Sequence, residues 1–375
     1  MCWEVRSVVD MRMEMCRAVL VNGVTITEAT AVFGVSRPTV YKWLGRFQAS
    51  GKPGLEGRSR QPHRSPNRVA EWLEEKVVEE RKQHSAWGGR KIARVLLNEG
   101  TVAPHSRTVD RILRRHALTS PRVSAQEVIR FERGHSNDLW QFDFKRAVRL
   151  RGGCSVYPFT VLDDHSRFLL ALVACADHQM ETGWAVYWDA LGTHGMPLEA
   201  LSDNARAFRT IDGLSQWTSR LLRLGILHTS GRPRHPQTQG KVERFHGTLQ
   251  RELLSHYKFP DIATLQRALD DFRCEYNHIR PHEALELEVP ASCYEHSQRE
   301  RPERIPDVLY PAGSEVRRID THGDVSYRGT KIWIGAGVRG ERVRLVEQDG
   351  DVVLDYAGHE VRRVPKSEIV SGRRL

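Results

Sequence analysis

Three carboxylates in this chain sit in settings suited to metal-assisted chemistry on phosphodiesters. Asp143 lies in Trp140-Gln141-Phe142-Asp143-Phe144, and Asp203 follows Ala200-Leu201-Ser202 and precedes Asn204. Glu243 lies in Pro236-Gln237-Thr238-Gln239-Gly240-Lys241-Val242-Glu243-Arg244-Phe245. The first two end or interrupt apolar, strand-like runs, and the third opens a helical pattern. Brought together, they form an oxygen-only ligand set, the kind taken by hard divalent cations that assist cutting and joining of phosphodiesters.

Neighbouring residues have simpler readings beside functional ones. Asp163 and Asp164 are adjacent in a turn before Arg167, and successive side chains of a regular strand cannot both face one site, so a turn role is favoured over metal ligation. His235 and His246 flank Glu243 and read as DNA-contacting or structural groups. Lys241 and Arg244 are expected to meet DNA near the scissile phosphate, with solvated charge as the plain alternative. Arg280 and His282, in Tyr276–Leu285, are open between DNA contact and capping of the core.

The elements that must position the three acids begin near residue 137. Leu139–Lys145, Ser155–Leu162 and Phe168–Ala174 are apolar or alternating runs separated by turn signals. A helix containing Trp184, Tyr187 and Leu191 follows, then a short strand ending at Asp203, a helix over Trp217–Leu224, a strand at Ile226–Thr229, and the helix with Glu243. Sequential strands followed by alternating helix and strand predict a mixed sheet flanked by helices.

The chain before this region is strongly basic. The net charge is +10, and residues 1–136 carry 24 Lys+Arg against 14 Asp+Glu, which accounts for all of it. Such asymmetry points to a polyanion-binding region joined to a neutral remainder. Residues 1–50 read as a helix-turn-helix domain. Ser36 caps a helix beginning Arg37-Pro38-Thr39-Val40, which offers Arg37, Thr39, Lys42 and Arg46 to a major groove while Val40, Trp43 and Leu44 pack inward. Residues 51–66, rich in Gly, Pro, Ser and Arg, form a linker whose Arg58, Arg60 and Arg64 can follow phosphates. Residues 67–120 repeat the helical pattern, with Val69, Trp72, Leu73 and Val77 on one apolar face. This second helix-turn-helix or winged-helix-like domain offers Arg90, Lys91, Arg107 and Arg111 to DNA.

After Pro306 short strands alternate with Gly turns over residues 310–370. The pattern predicts a small all-β, SH3-like barrel rich in arginine, which supports DNA binding or assembly or is a passive domain. The six cysteines are scattered with no metal-ligand spacing, so buried free thiols in a reducing compartment are expected. No apolar run reaches the roughly 18 residues of a membrane span, and no signal-peptide core is evident, so a cytoplasmic, nucleoid-associated protein is expected.

The three acid settings, with Arg232-Pro233, Pro236-Gln237-Thr238 and Tyr276-Asn277-His278-Ile279-Arg280-Pro281-His282-Glu283-Ala284-Leu285, resemble the integrase core. More closely they resemble bacterial insertion-sequence transposases of the retroviral-integrase superfamily. The match runs over about residues 137–295. It implies a multidomain protein in which all-α helix-turn-helix units precede an α/β RNase H-like core over 137–297. In that family's arrangement Asp143 would bridge two Mg²⁺ ions while Asp203 and Glu243 each help hold one; Mn²⁺ can substitute. Partners implied are double-stranded DNA at element ends and target, and a second copy in at least a dimer; the resemblance also leaves room for an ATPase helper. The reading is a DNA transposase carrying out 3′-end cleavage and strand transfer. A DNA-binding regulator with an inactive core, and a nuclease that cuts without joining, are the alternatives. Two departures bear on them: 39 residues separate Asp203 from Glu243, more than is usual, and Ala205 follows Asp203-Asn204 where glycine is common.

Overall fold

The computed structural model describes residues 7–57, 68–119, 132–202, 213–230 and 240–375. Internal contacts divide the chain into two units, Met1–Arg68 and Val69–Leu375.

The first unit holds α1 (Val8–Leu20), α2 (Ile26–Phe33) and α3 (Arg37–Ser50). Thr25 and Glu28 cap each other's backbone at the start of α2, which satisfies two otherwise unpaired N–H groups. Gly34, at φ 64°, ends α2 in the left-handed conformation that other residues adopt only with strain. Pro38 falls in the first turn of α3, where its missing N–H has no partner to lose. Ala29, Val40, Trp43 and Leu44 then pack with Met15, Cys16 and Leu55, giving the expected helix-turn-helix arrangement.

The second unit opens with α4 (Glu71–Gln83), α5 (Gly89–Asn98) and α6 (Ser106–Arg115). Leu73, Val77, Trp87, Ile92, Leu96, Val109 and Ile112 are among the residues of their common core. Trp72, expected on the apolar face of α4, is instead 58% exposed. It lies about 100° around the helix from Leu73, off the buried stripe.

The mixed sheet expected from the sequence follows. Its strands are β1 (Leu139–Phe144), β2 (Val148–Arg149), β3 (Ser155–Asp163), β4 (Leu169–Cys175), β5 (Glu199–Ser202) and β6 (Leu227–Ser230). β3 pairs antiparallel with β1, β4 and the short β2, while β5 lies parallel between β1 and β6. Four helices flank it: α7 (Met180–His194), α8 (Gln216–Arg223), α9 (Gly240–Leu249) and α10 (Ile262–His278). Strand alternation divides the two faces. Trp140, Phe142 and Phe159 pack with Trp184, Tyr187 and Trp217 on the α7 and α8 side. Leu162, Leu169 and Leu172 pack with Val242, Phe245, Leu269 and Tyr276 on the α9 and α10 side. Each large apolar side chain buried this way contributes about 1.5–3 kcal/mol.

The C-terminal strands are β7 (Glu315–Arg318), β8 (Asp324–Tyr327), β9 (Thr330–Trp333), β10 (Arg342–Gln348), β11 (Asp351–Tyr356) and β12 (His359–Pro365). They form a four-stranded sheet in the order β12-β11-β10-β7 and a separate β8-β9 hairpin, both covering one apolar core. The expected barrel is not seen, because among the described residues the two sheets do not pair into a closed ring. Leu222 of α8 belongs to the same core, so this layer is fastened to the central domain. No described helix is long and apolar enough to cross a membrane.

Candidate active site

Asp143 owes its direction to the alternation of β1. Trp140 and Phe142 point into the core beneath α7 and α8, so Gln141 and Asp143 point to the opposite face, toward α9. There the Asp143 carboxylate, about a quarter exposed, lies 3.8 Å from His246 Nδ1 of α9. The other ring nitrogen of His246 is 3.1 Å from Thr160 Oγ1, and Thr160 is the residue of β3 paired directly with Asp143. Burial, with the Lys145 charge nearby, lowers the His246 pKa to about 3, so the ring is neutral. Glu243 is exposed and stands one turn before His246 on α9, and residues three apart share a helix face. α9 therefore carries both the histidine beside Asp143 and the third carboxylate.

Asp203 lies outside the described residues, as do Arg58, Arg60, Arg64 and His235. The strand leading to it is defined: β5 runs parallel to β1, with Leu201 level with Gln141, and ends at Ser202. Ser202 Oγ is 3.0 Å from His228 Nε2, and the other nitrogen of that ring is 2.8 Å from Thr218 Oγ1. Among the described residues no group of three or more His, Cys, Asp or Glu side chains is placed to hold a metal ion.

Asp163, the last residue of β3, and Asp164, in the turn after it, are both fully buried. Asp163 accepts from the Asn137 and Ser166 N–H groups and from the Ser166 hydroxyl. Asp164 accepts from Gln141 Nε2 and Arg133 N, and pairs with Lys241 Nζ at 2.6 Å. Lys241 also donates to the Asp164 carbonyl. The sequence reading sent Lys241 to DNA; the structure sends it inward, because an unpaired buried carboxylate is costly. Arg244, three residues past Lys241 on α9, is exposed.

Arg280 and His282 also turn inward. Arg280 makes two hydrogen bonds to Glu252, at 2.8 and 2.9 Å, with both side chains over nine-tenths buried. His282 packs edge-on against Tyr276, and burial beside Arg280 lowers its pKa to about 2. Lys91, offered to DNA by the sequence, lies in the same charged cluster. Burial first, and then the Arg280 charge, lowers its pKa to about 8 in spite of Glu252. Glu252 carried no signal in the sequence beyond its place in a helical run.

The remaining DNA candidates are on helix surfaces. On α3, Arg37 and Lys42 are exposed, and Thr39 and Arg46 are not buried in the core of the domain. Arg37 donates to Thr27 Oγ1, Thr39 Oγ1 is 3.0 Å from Ser36 Oγ, and Lys42 and Arg46 lie over the Trp43 ring with Arg12. In the second domain Arg90, Arg107 and Arg111 are exposed. Arg114, also exposed, extends the Arg107 and Arg111 row by one turn, a position sequence reading missed although the spacing held it. Several C-terminal arginines pair with acids of the same layer, as in Arg344–Asp355 at 3.0 Å, Arg363–Glu360 at 2.7 Å and Arg374–Asp324 at 3.0 Å. Cys16, Cys154, Cys175, Cys274 and Cys293 are free thiols; Cys16 and Cys175 are buried, whereas Cys154 and Cys274 are exposed.

Asp143, on the central strand of a mixed sheet, thus faces a helix that carries a second carboxylate, Glu243. Residues 133–236 and 224–290 match two integrase core domain families, residues 11–63 a helix-turn-helix domain, and residues 39–113 a homeodomain-like domain. The uncharacterized 31.7 kDa protein of insertion element IS407 from Burkholderia multivorans is 26% identical over 240 residues, covering 60% of this chain and 82% of its own length. The uncharacterized 39.2 kDa protein of insertion element IS476 from Xanthomonas euvesicatoria is 25% identical over 249 residues, covering 63% and 69%. Residues 133–290 thus match the integrase core, and the chain is similar to insertion-element proteins over 60–63% of its length. The HTLV-2 integrase catalytic core domain in complex with magnesium is 16% identical, covering 43% of this chain and 98% of that one, with a TM-score of 0.35.

Proposed function

We propose that this protein binds the ends of an insertion sequence and catalyses metal-dependent 3′-end cleavage followed by strand transfer into target DNA. The observation that carries this reading is the approach of α9 to β1, with His246 at 3.8 Å from Asp143 and Glu243 one turn away. Oxygen donors on a partly exposed surface suit a hard cation that keeps open positions for water and phosphate. Asp143 and Glu243, with Asp203, would hold Mg²⁺, two ions in all, with Mn²⁺ able to replace them. Bound there, the ions supply activation of the attacking oxygen and stabilisation of the leaving one.

The protein's own residues bind and orient. The α3 residues Arg37, Thr39, Lys42 and Arg46 and the second-domain residues Arg90, Arg107 and Arg111 engage the element end. Arg58, Arg60 and Arg64 follow the phosphates, and Arg244 approaches the DNA beside Glu243. Lys91 and Lys241 are assigned to the charged clusters described above rather than to DNA. One phosphodiester is exchanged for another, so joining needs no nucleotide cofactor. Two ends must be held at once, which calls for at least a dimer; the matches do not bear on an ATPase helper.

The test incubates the protein with labelled end DNA and a target plasmid, with Mg²⁺ or EDTA, alongside Glu243→Gln. Joined products that need Mg²⁺ and vanish in the variant support the reading. Products that persist in Glu243→Gln would overturn the site. Cleavage without joining would point to a nuclease, and end binding without cleavage to a regulator.

A further inference from the structure

The second helical domain meets the central domain through polar groups, buried around Trp87 and Glu252 and more exposed toward Ser85, His256 and Glu288. Trp87, fully buried, donates from Nε1 to Glu252 Oε2 at 3.4 Å. His84 stacks on Trp87 with ring centroids 3.7 Å apart and brings its Nδ1 to 3.1 Å from Glu275 of α10. Ser85 Oγ is 3.3 Å from His256 Nε2. Arg94 of α5 pairs with Glu288. Glu252, already held by the two bonds from Arg280, is the centre of this joint.

Glu252 does not lie on a loop. It sits in a π-helical turn, Gln250–Leu254, that continues α9 without a break. It is nine positions beyond Glu243, about 13 Å along a helix at 1.5 Å per residue. On the other side α5 is packed against α6: Ile92, Val95 and Leu96 share a core with Val109, Ile112 and Leu113. Gly89 N also donates to Asp110 Oδ1 at 3.1 Å. A line of packed helices thus runs from the exposed Arg107, Arg111 and Arg114 of α6, through α5 and Glu252, to Glu243.

We infer that this joint makes the second helical domain a ruler, which fixes the distance along DNA from the sequence bound by α6 to the phosphodiester that is cut. Arg94 acts as a positioning residue that holds the joint closed. The inference rests on the transposase reading of the site. One base pair advances a duplex by about 3.4 Å, more than a packed, hydrogen-bonded joint can absorb, so single base-pair changes in spacing are readable.

The test uses the full chain, Mg²⁺, and labelled end DNA on which the footprint of α6 has been mapped, with one, two or five base pairs inserted between footprint and cut. The cut is expected to keep its distance from the footprint and so to move off the native terminal phosphodiester by the inserted length. A cut that stays at the native phosphodiester in all three substrates overturns the inference. Arg94→Glu is expected to spread cleavage over neighbouring phosphodiesters, and adding Glu288→Arg to restore a single position. Arg94→Glu that melts like wild type and still cuts at one position overturns it, as does failure of the double variant to restore that position. Failure of the underlying reading looks different: the unaltered end DNA then gives no Mg²⁺-dependent cleavage, or Glu243→Gln cleaves as well as wild type.

Discussion

His246 stands between two strands, with Nδ1 at 3.8 Å from Asp143 Oδ2 and Nε2 at 3.1 Å from Thr160 Oγ1. Because Asp143 and Thr160 are paired across β1 and β3, one ring is hydrogen-bonded to Thr160 and lies beside the Asp143 carboxylate. Groups that orient a metal-ligating carboxylate without touching the metal typically account for about 10–100-fold in metal affinity or activity. His246→Leu should therefore lower cleavage by about that factor and raise the Mg²⁺ concentration needed for half-maximal rate. Thr160→Val should do the same more weakly. A His246→Leu protein with the wild-type Mg²⁺ dependence would show that the ring is only filler.

Lys241 and Asp164 make the opposite kind of pair, buried and away from solvent, at 2.6 Å. Lys241→Met leaves the carboxylate with Gln141 and the Arg133 N–H as donors. Removing one partner of a buried pair costs about 3–5 kcal/mol, and the remaining donors favour the lower end. Thermal melting should show the loss. The salt dependence of DNA binding should not change, whereas a lysine on a phosphate would take about 1 from its log–log slope. A shallower slope with unchanged melting would return Lys241 to the DNA surface.

Arg107, Arg111 and Arg114 lie along one exposed face of α6, while Arg115 lies 3.4 Å from Glu74 of α4. Alanine at Arg107, Arg111 or Arg114 should weaken binding of end DNA, and each phosphate left without its arginine should change the salt slope by about 1. Cleavage at saturating DNA should survive. Arg115→Ala should leave binding unchanged. Electrophoretic titrations at several salt concentrations separate the two classes, and equal weakening from all four would mean general charge rather than a face.

How far the sequence could be read follows from which physical signals are local. The alternation of Trp140-Gln141-Phe142-Asp143 was enough to predict the strand, and it is the same alternation that turns Asp143 toward α9. The mixed sheet and the helix-turn-helix of the first unit were legible for the same reason. The ion pairs were not: nothing in the order of residues says that Lys241 faces Asp164, 77 positions earlier, rather than solvent. The charges near Lys91, Arg280 and Glu252 among them, are likewise distant in the chain. β12 is mostly polar over His359–Pro365, as an edge strand facing water on one side is allowed to be. By contrast, α10 carried a readable stripe at Leu265, Leu269, Phe272 and Tyr276 behind the Asp261 cap, which sequence analysis passed over.

The C-terminal layer is fastened to the segment leading into α8. Leu214 N donates to the Ile334 carbonyl at 2.7 Å, and Gly337 N donates to the Leu214 carbonyl at 3.0 Å. Ser219 Oγ is 2.7 Å from the Tyr356 hydroxyl, which also reaches Glu341. At Gly337 a Cβ would stand 2.1 Å from backbone atoms of Ser215 and Gln216, so no side chain fits without parting the two layers. Gly337→Val should cost about 2–3 kcal/mol by overpacking, and Tyr356→Phe about 1 kcal/mol through its missing hydrogen bonds. Calorimetry should then show the C-terminal layer melting apart from the central domain in Gly337→Val, ahead of a core that still melts near its usual temperature. A single unshifted transition in that variant would mean that the backbone bonds at Leu214 contribute little, and that burial of Leu222 alone holds the layers together.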